Sequence, residues 1–277
     1  MVDELDRRVA LITGAGRGQG RSHALTLAAA GADVVLTDLC ADIASVPYGL
    51  SDEHDLTETV QLVEKLGRRA VAIEADVRDR AAMERVVAQA LDELGQLDIV
   101  VANAGICGFG AMPELTEAQW NDMLAVNLTG VYNTFRAVVP HMVERHYGRL
   151  VAISSGAGRT GVPHLSHYAA TKWGLIGFVK SVALEVAAHG ITANVVCPAT
   201  VDTPMVHNEA LYSLFAPDIT SPTKELVAPR YEAMNPMRVP WLDPQEISNA
   251  VLFLASDRSA FISGETIEVS AGGSAQR

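Results

Sequence analysis

Val9-Ala10-Leu11-Ile12-Thr13-Gly14-Ala15-Gly16-Arg17-Gly18-Gln19-Gly20 is the stretch on which the fold turns. The apolar run from Val9 to Thr13 reads as a short buried parallel strand. Glycines at 14, 16, 18 and 20 then permit a tight turn, and Arg21 to Ala30 carries a helical pattern that stops at Gly31. Strand, glycine turn and helix in that order make an anion cradle. The backbone can approach a pyrophosphate, and the helix N-terminus presents unpaired N–H groups and the positive end of its dipole. Gly14-x-x-x-Gly18-x-Gly20 is a relative of the GxGxxG dinucleotide spacing. A glycine turn often serves only packing, but here both flanks agree with the functional reading.

Asp33-Val34-Val35-Leu36-Thr37-Asp38 reads as the second strand, and Asp38 ends it eighteen residues past Gly20. A carboxylate there can accept hydrogen bonds from ribose hydroxyls and repels a 2′-phosphate, which favours NAD over NADP. The alternative is a solvated strand-end aspartate. No Lys or Arg stands at residues 39 to 41 to hold a phosphate. Residues 39–55 have no clear period and read as an inserted loop beside the adenosine end of the cofactor site, with a helix expected from Leu56.

Further strands are expected at 70–75, 98–102, 148–154, 192–196 and 266–269, with amphipathic helices between them. Thr116-x-x-Gln119 is a capping box that opens a long helix, in which Asn127 is polar among apolar neighbours and reads as a local structural bond or a kink. Alternating strands and helices without repeat or linker imply one α/β domain, a doubly wound Rossmann-type fold with a parallel seven-stranded sheet and helices on both faces. Residues 204–243 are apolar and weakly periodic. They follow a strand's C-terminal end and read as a substrate lid, or else as a surface excursion.

Ser154 to Lys172 carries the chemistry. Tyr168 and Lys172 are four apart on one helical face, so an ammonium lies one turn from a phenol and is expected to draw its pKa down from about 10. Ser155, thirteen residues before Tyr168, ends an apolar strand. Across a glycine-rich turn, the two hydroxyls could be aimed at one carbonyl oxygen during hydride transfer.

Composition narrows the field. Of 277 residues, 49% are hydrophobic and 19% charged, which suits a globular enzyme; the net charge of −12 disfavours nucleic acid and anionic membrane surfaces as partners. The start from Met1 to Asp6 is acidic with no signal-peptide core, and no apolar run reaches membrane length. Three scattered cysteines and eight scattered histidines show no disulfide, redox or metal-ligand spacing, so a cytoplasmic location and no metal are expected.

Thr13-Gly14-x-x-x-Gly18-x-Gly20, Asp76, Asn103-Ala104-Gly105, Asn127, Ser155, Tyr168-x-x-x-Lys172 and Pro198-x-x-x-x-Thr203 together resemble the short-chain dehydrogenase/reductase family along the whole chain. The resemblance implies Tyr168 as general acid/base, Lys172 as its partner and ribose ligand, Ser155 as ligand of the substrate oxygen, and Asn127 as holder of a water. It implies cofactor contacts at Gly14, Arg17, Gly18, Gln19, Gly20, Asp38 and Leu39, at Asp76 and Val77 (adenine), at Asn103, Ala104 and Gly105 (ribose side), and at Val201 and Thr203 (carboxamide and phosphates). Gln19 replaces the common isoleucine, and Ala199 the common glycine after proline.

Gly18-Gln19-Gly20-Arg21-Ser22-His23, the insertion with Cys40-x-Asp42-Ile43, Gly67-Arg68-Arg69 and Thr200-Val201-Asp202-Thr203-Pro204-Met205 are similar to the carveol dehydrogenase, or mycofactocin-coupled, subgroup. That likeness implies oxidation of a secondary, cyclic or terpenoid-like alcohol by a tightly held, non-exchanging NAD. It also implies a mycofactocin-like redox partner as electron acceptor and a homotetramer. Ala125, Leu128, Val131, Phe135, Leu175, Phe178 and Val182 could line subunit interfaces or be core. Cys107, Phe109, His164 and His167 are candidates for the substrate pocket, with packing or surface as the alternative. The rivals are a keto-reductase with freely exchanging cofactor and a non-catalytic dinucleotide sensor.

Overall fold

The structure, a computed structural model, describes residues 4–276. The expected acidic start at Met1 to Asp3 and the last residue of the expected polar tail, Arg277, lie outside it. Strands β1 (Val9–Thr13), β2 (Asp33–Asp38), β3 (Ala70–Glu74), β4 (Ile99–Ala102), β5 (Gly148–Ile153), β6 (Ile191–Pro198) and β7 (Thr266–Val269) are those expected, to within one or two residues. Among the described residues they form one seven-stranded sheet in the order β3-β2-β1-β4-β5-β6-β7, and every paired neighbour runs parallel.

Side-chain alternation along the strands splits the core in two. Leu11, Val35, Val100, Leu150 and Val195 point to the face packed by α3 (Arg80–Leu94), α5 (Gly130–Arg145) and α6 (Ser166–Val186). Ile12, Val34, Leu36, Val101 and Val196 point to the other face, covered by α1 (Gly18–Ala29), α2 (Glu53–Lys65) and α9 (Pro244–Ala255). Each such buried aliphatic side chain contributes about 1.5–3 kcal/mol of burial free energy. The strand order reverses at β1 and β4, and their carboxyl ends frame the crevice where open α/β sheets bind ligands.

Four local departures from expectation have physical causes. First, α1 starts at Gly18, inside the glycine turn, so its free N–H groups come from the motif itself. Second, α2 starts at Glu53 instead of Leu56, because Asp52 and Asp55 form a reciprocal capping box; the insertion is therefore shorter, residues 39–51. Third, the long helix after Thr116 is not continuous. Helix α4 (Glu117–Leu124) passes into a π-helical turn, Ala125–Thr129, before α5. Fourth, the weakly periodic segment 204–243 holds two short helices, α7 (Glu209–Phe215) and α8 (Lys224–Met234). Tyr212, Ala216, Val227 and Tyr231 give it a small core of its own. Its base is closed where Val201 bridges Leu242.

Candidate active site

The glycine turn is packed too closely for side chains. A Cβ on Gly20 would lie 1.9 Å from the Gly14 carbonyl oxygen, and one on Gly14, whose φ is +66°, would lie 2.9 Å from the Ala104 backbone. Asn103 braces this contact: its amide donates to the carbonyls of Thr13 and Gly14 at 3.0 and 3.1 Å. Asp38 sits at the far end. Its carboxylate accepts from Gly16 N–H at 2.8 Å, Leu39 N–H at 2.8 Å and the Ser51 hydroxyl at 2.6 Å. It is thus a fixed acceptor rather than a solvated strand end.

A cleft runs along this edge. Gly14, Arg17, Gly18, Gln19, Gly20, Asp38, Leu39, Asp76, Val77, Asn103, Ala104, Gly105, Tyr168, Lys172 and Thr203 all line it, as expected of a dinucleotide site. Val201 does not; it lines the neighbouring cavity. Asp76 is already held by Arg78, whose guanidinium contacts both carboxylate oxygens at 2.8 to 3.0 Å. The fit to a dinucleotide rests on the close-approach glycines, the free first turn of α1, and Gln19, which lines the cleft and whose buried side-chain oxygen has no partner among the described residues.

Ile43, Tyr48, Leu50 and Ser51 of the insertion also line the cleft, which the sequence did not show. The insertion is fastened to the body at four points. Ser51 bonds Asp38, the Gly49 carbonyl accepts from Arg17, the Tyr48 hydroxyl accepts from Cys107 N–H at 3.0 Å, and the Ser45 hydroxyl donates to Asp122 at 2.7 Å. Ile43 adds an apolar anchor in the core.

Tyr168 and Lys172 rise from the first turns of α6 on one face, the Lys172 ammonium 5.5 Å from the Tyr168 ring centre. Lys172 is 4% exposed and donates to the Ile153 carbonyl at 2.9 Å. Ser155 hydrogen-bonds Tyr168, and its hydroxyl caps the next turn by accepting from Ala157 N–H at 3.1 Å. Burial pushes the Tyr168 phenol above its ordinary value and Cys107 adds to it, against the Ser155 hydrogen bond, so the expected lowering is not met in this structure. Burial also lowers Lys172 itself to about 8, against which Cys197 and Cys107 raise it.

Asn127 lies beneath the pair, on the π-helical turn. Its amide bonds both backbone groups of Ile106, accepting at 2.8 Å and donating at 2.9 Å. Of the two structural alternatives, the kink has its counterpart in the π-helical turn, whereas the bond to Ile106 reaches 21 residues back and is not local. Of the pocket candidates, Cys107 lines the second cavity; Phe109, His164 and His167 do not. His167 is buried, and neither ring nitrogen has a hydrogen-bond partner among the described residues. Val131, Phe135, Leu175 and Val182 are core, whereas Trp120, Tyr132, Trp173 and Leu184 are the exposed large side chains of α4, α5 and α6.

The second cavity, about 430 Å³, opens on the other side of Tyr168. Ser155, Tyr168, Cys107, Val162, Leu165, Val201, Leu211, Phe215, Tyr231 and Met234 are among its walls, so the two lid helices close it from above. Tyr168 borders both spaces. Two reactants held there would meet at its hydroxyl. Among the described residues no group of three or more His, Cys, Asp or Glu side chains could hold a metal ion, and no helix is long and apolar enough to cross a membrane.

Comparison with known proteins places the chain in a family. The family model for short chain dehydrogenase covers residues 8–211. (−)-trans-Carveol dehydrogenase of Rhodococcus erythropolis is 43% identical over 270 residues, 97% of this chain and 98% of that one. The crystal structure of carveol dehydrogenase from Mycobacterium avium in complex with NAD superposes with a TM-score of 0.96 at 42% identity, covering 98% and 99% of the two chains. The 3-oxoacyl-[acyl-carrier-protein] reductase of Escherichia coli is 37% identical over 265 residues, 96% of each chain.

Proposed function

The chain belongs to the short chain dehydrogenase family, and from that we propose that it is an NAD-dependent dehydrogenase of secondary, cyclic, carveol-type alcohols. One observation carries the reading: Tyr168 stands between a dinucleotide-shaped cleft and an apolar cavity, bonded to Ser155 and backed by Lys172. Bound NAD supplies the hydride acceptor. The carbinol C–H leaves as hydride while Tyr168 takes the hydroxyl proton and Ser155 hydrogen-bonds the oxygen as it becomes a carbonyl. Lys172 offsets the cost of the buried phenolate. Asn127 fixes the Ile106 backbone beside Lys172 and holds a water there. Tyr168→Phe is expected to lower alcohol oxidation at least 10³-fold, typical of losing the general base with its hydrogen bond, while NAD stays bound. An active Phe variant refutes the assignment.

The insertion supports a finer reading. Pinned at Asp38, Arg17, Cys107 and Asp122, it covers the adenosine end and holds NAD through many turnovers. Electrons then leave to a small, mycofactocin-like redox partner, in the cytoplasm. Residues 204–243 serve as the substrate lid, and the exposed aromatic faces of α4 to α6 join four copies. Denaturing the purified protein should release near-stoichiometric NAD that does not exchange with isotope-labelled NAD overnight. Empty or freely exchanging protein would instead favour the keto-reductase mode, for which the 37%-identical reductase speaks.

A further inference from the structure

The lid side of the cavity is mostly apolar: Leu211, Phe215 and Met234 stand there. Tyr231, on α8, is different. It is fully buried, it lines the cavity, and its hydroxyl has no hydrogen-bond partner among the described residues. Gln19 apart, which has an orphan oxygen and also lines the dinucleotide cleft, three polar side chains of the wall are engaged. Asn235 donates to the Val239 carbonyl at 2.7 Å, Thr203 to the Val201 carbonyl at 3.3 Å, and the Ser270 hydroxyl accepts from Ser274 N–H at 3.1 Å. Leaving a buried donor unpaired forfeits the hydrogen bond it made to water. The phenol is not needed for packing, because its ring alone makes the contacts with Phe215 at 5.3 Å and Trp241 at 5.9 Å. Phenylalanine would fill the same place without the orphan.

We propose that the Tyr231 hydroxyl donates to a second oxygen on the substrate, remote from the reacting carbinol. The favoured substrate is then a cyclic alcohol whose apolar skeleton carries one further acceptor, such as a ketone or ether oxygen. This rests on the dehydrogenase reading for the carbinol end but adds a distal subsite. Tyr168 and Tyr231 both line this cavity, so the subsite and the reacting end face one space. A site built to bond an oxygen rejects the analogue that lacks it far more strongly than an apolar wall rejects a changed methylene.

The test uses the full chain loaded with NAD and two probe pairs, 4-hydroxycyclohexanone against cyclohexanol and a hydroxydecalone against decalol. These place the second oxygen across one ring or two. Dissociation constants and initial rates are measured for the wild type and Tyr231→Phe. The expected result is a 10- to 100-fold preference of the wild type for at least one oxygenated probe, lost in Tyr231→Phe, with the plain alcohols unaffected and the ligand-free melting temperature unchanged or higher. No preference, a preference that survives in the Phe variant, or equal losses on both members of each pair overturns the proposal. So does a marked fall in melting temperature, which would give the hydroxyl a structural partner. If the wild type binds the oxygenated probe selectively through Tyr231 but oxidises neither member, the subsite stands and the dehydrogenase reading falls.

Discussion

Two covers close this site, and they are built differently. The insertion over the cofactor cleft has almost no regular structure, yet it is tied to β2, the glycine turn, the loop after β4 and α4. The lid over the substrate cavity has two helices and its own aromatic core, yet it is tied mainly to itself and to its base, where Asp202 receives Lys224 at 3.0 Å and His207. A segment with internal order and few outside ties moves as a body; one with outside ties and no internal order holds its place. The asymmetry fits a dehydrogenase whose cofactor stays and whose alcohol comes and goes.

The comparison breaks most directly at the insertion. Removing residues 41–50 keeps Ser51 and the Asp52–Asp55 capping box but deletes three of the four polar ties. At about 1 kcal/mol each this predicts release of NAD on the order of 10²-fold faster, read by exchange of labelled NAD. Unchanged retention would show that the cover does not hold the cofactor. Next in size is the charge buried under the cofactor side. Lys172 is lowered to about 8 in the folded chain and returns to its ordinary 10.5 on unfolding. The unfolded state therefore binds the extra proton between those values, and the stability of cofactor-free protein rises with pH across that window. Against Lys172→Met as reference, the wild type should gain roughly 2–4 kcal/mol between pH 7 and 10.5 in urea melts, and a flat difference would refute the buried-charge reading. Smallest is the lid tie. Asp202→Asn is expected to raise the alcohol KM three- to tenfold, since the pair is partly exposed and screened, with NAD retention untouched. If the variant loses NAD instead, the two covers act as one.

The strands and the catalytic spacing were legible because they depend on short-range pattern: apolar runs, a glycine turn, and Tyr168 and Lys172 one turn apart. What was hidden depends on partners distant in sequence or on burial. The capping box of α2 uses two aspartates where serine or threonine with glutamate is the familiar signal. Pro229 inside α8 and the seven-residue length of α7 blur the helical period of the lid. The π-helical turn at Asn127 answers to Ile106, 21 residues away. Spacing placed an ammonium near Tyr168 but could not show that burial would raise the phenol. Tyr48 and Tyr231 carried no local pattern at all; each matters through what surrounds it after folding.

Asp38 has one more consequence. The carboxylate placed to exclude a 2′-phosphate also carries the Ser51 end of the insertion and the Gly16 N–H of the glycine turn. Under the proposed function, cofactor preference and cofactor retention share a single residue. A change toward the phosphorylated cofactor, whether made at the bench or by drift, would unlatch the cover in the same step.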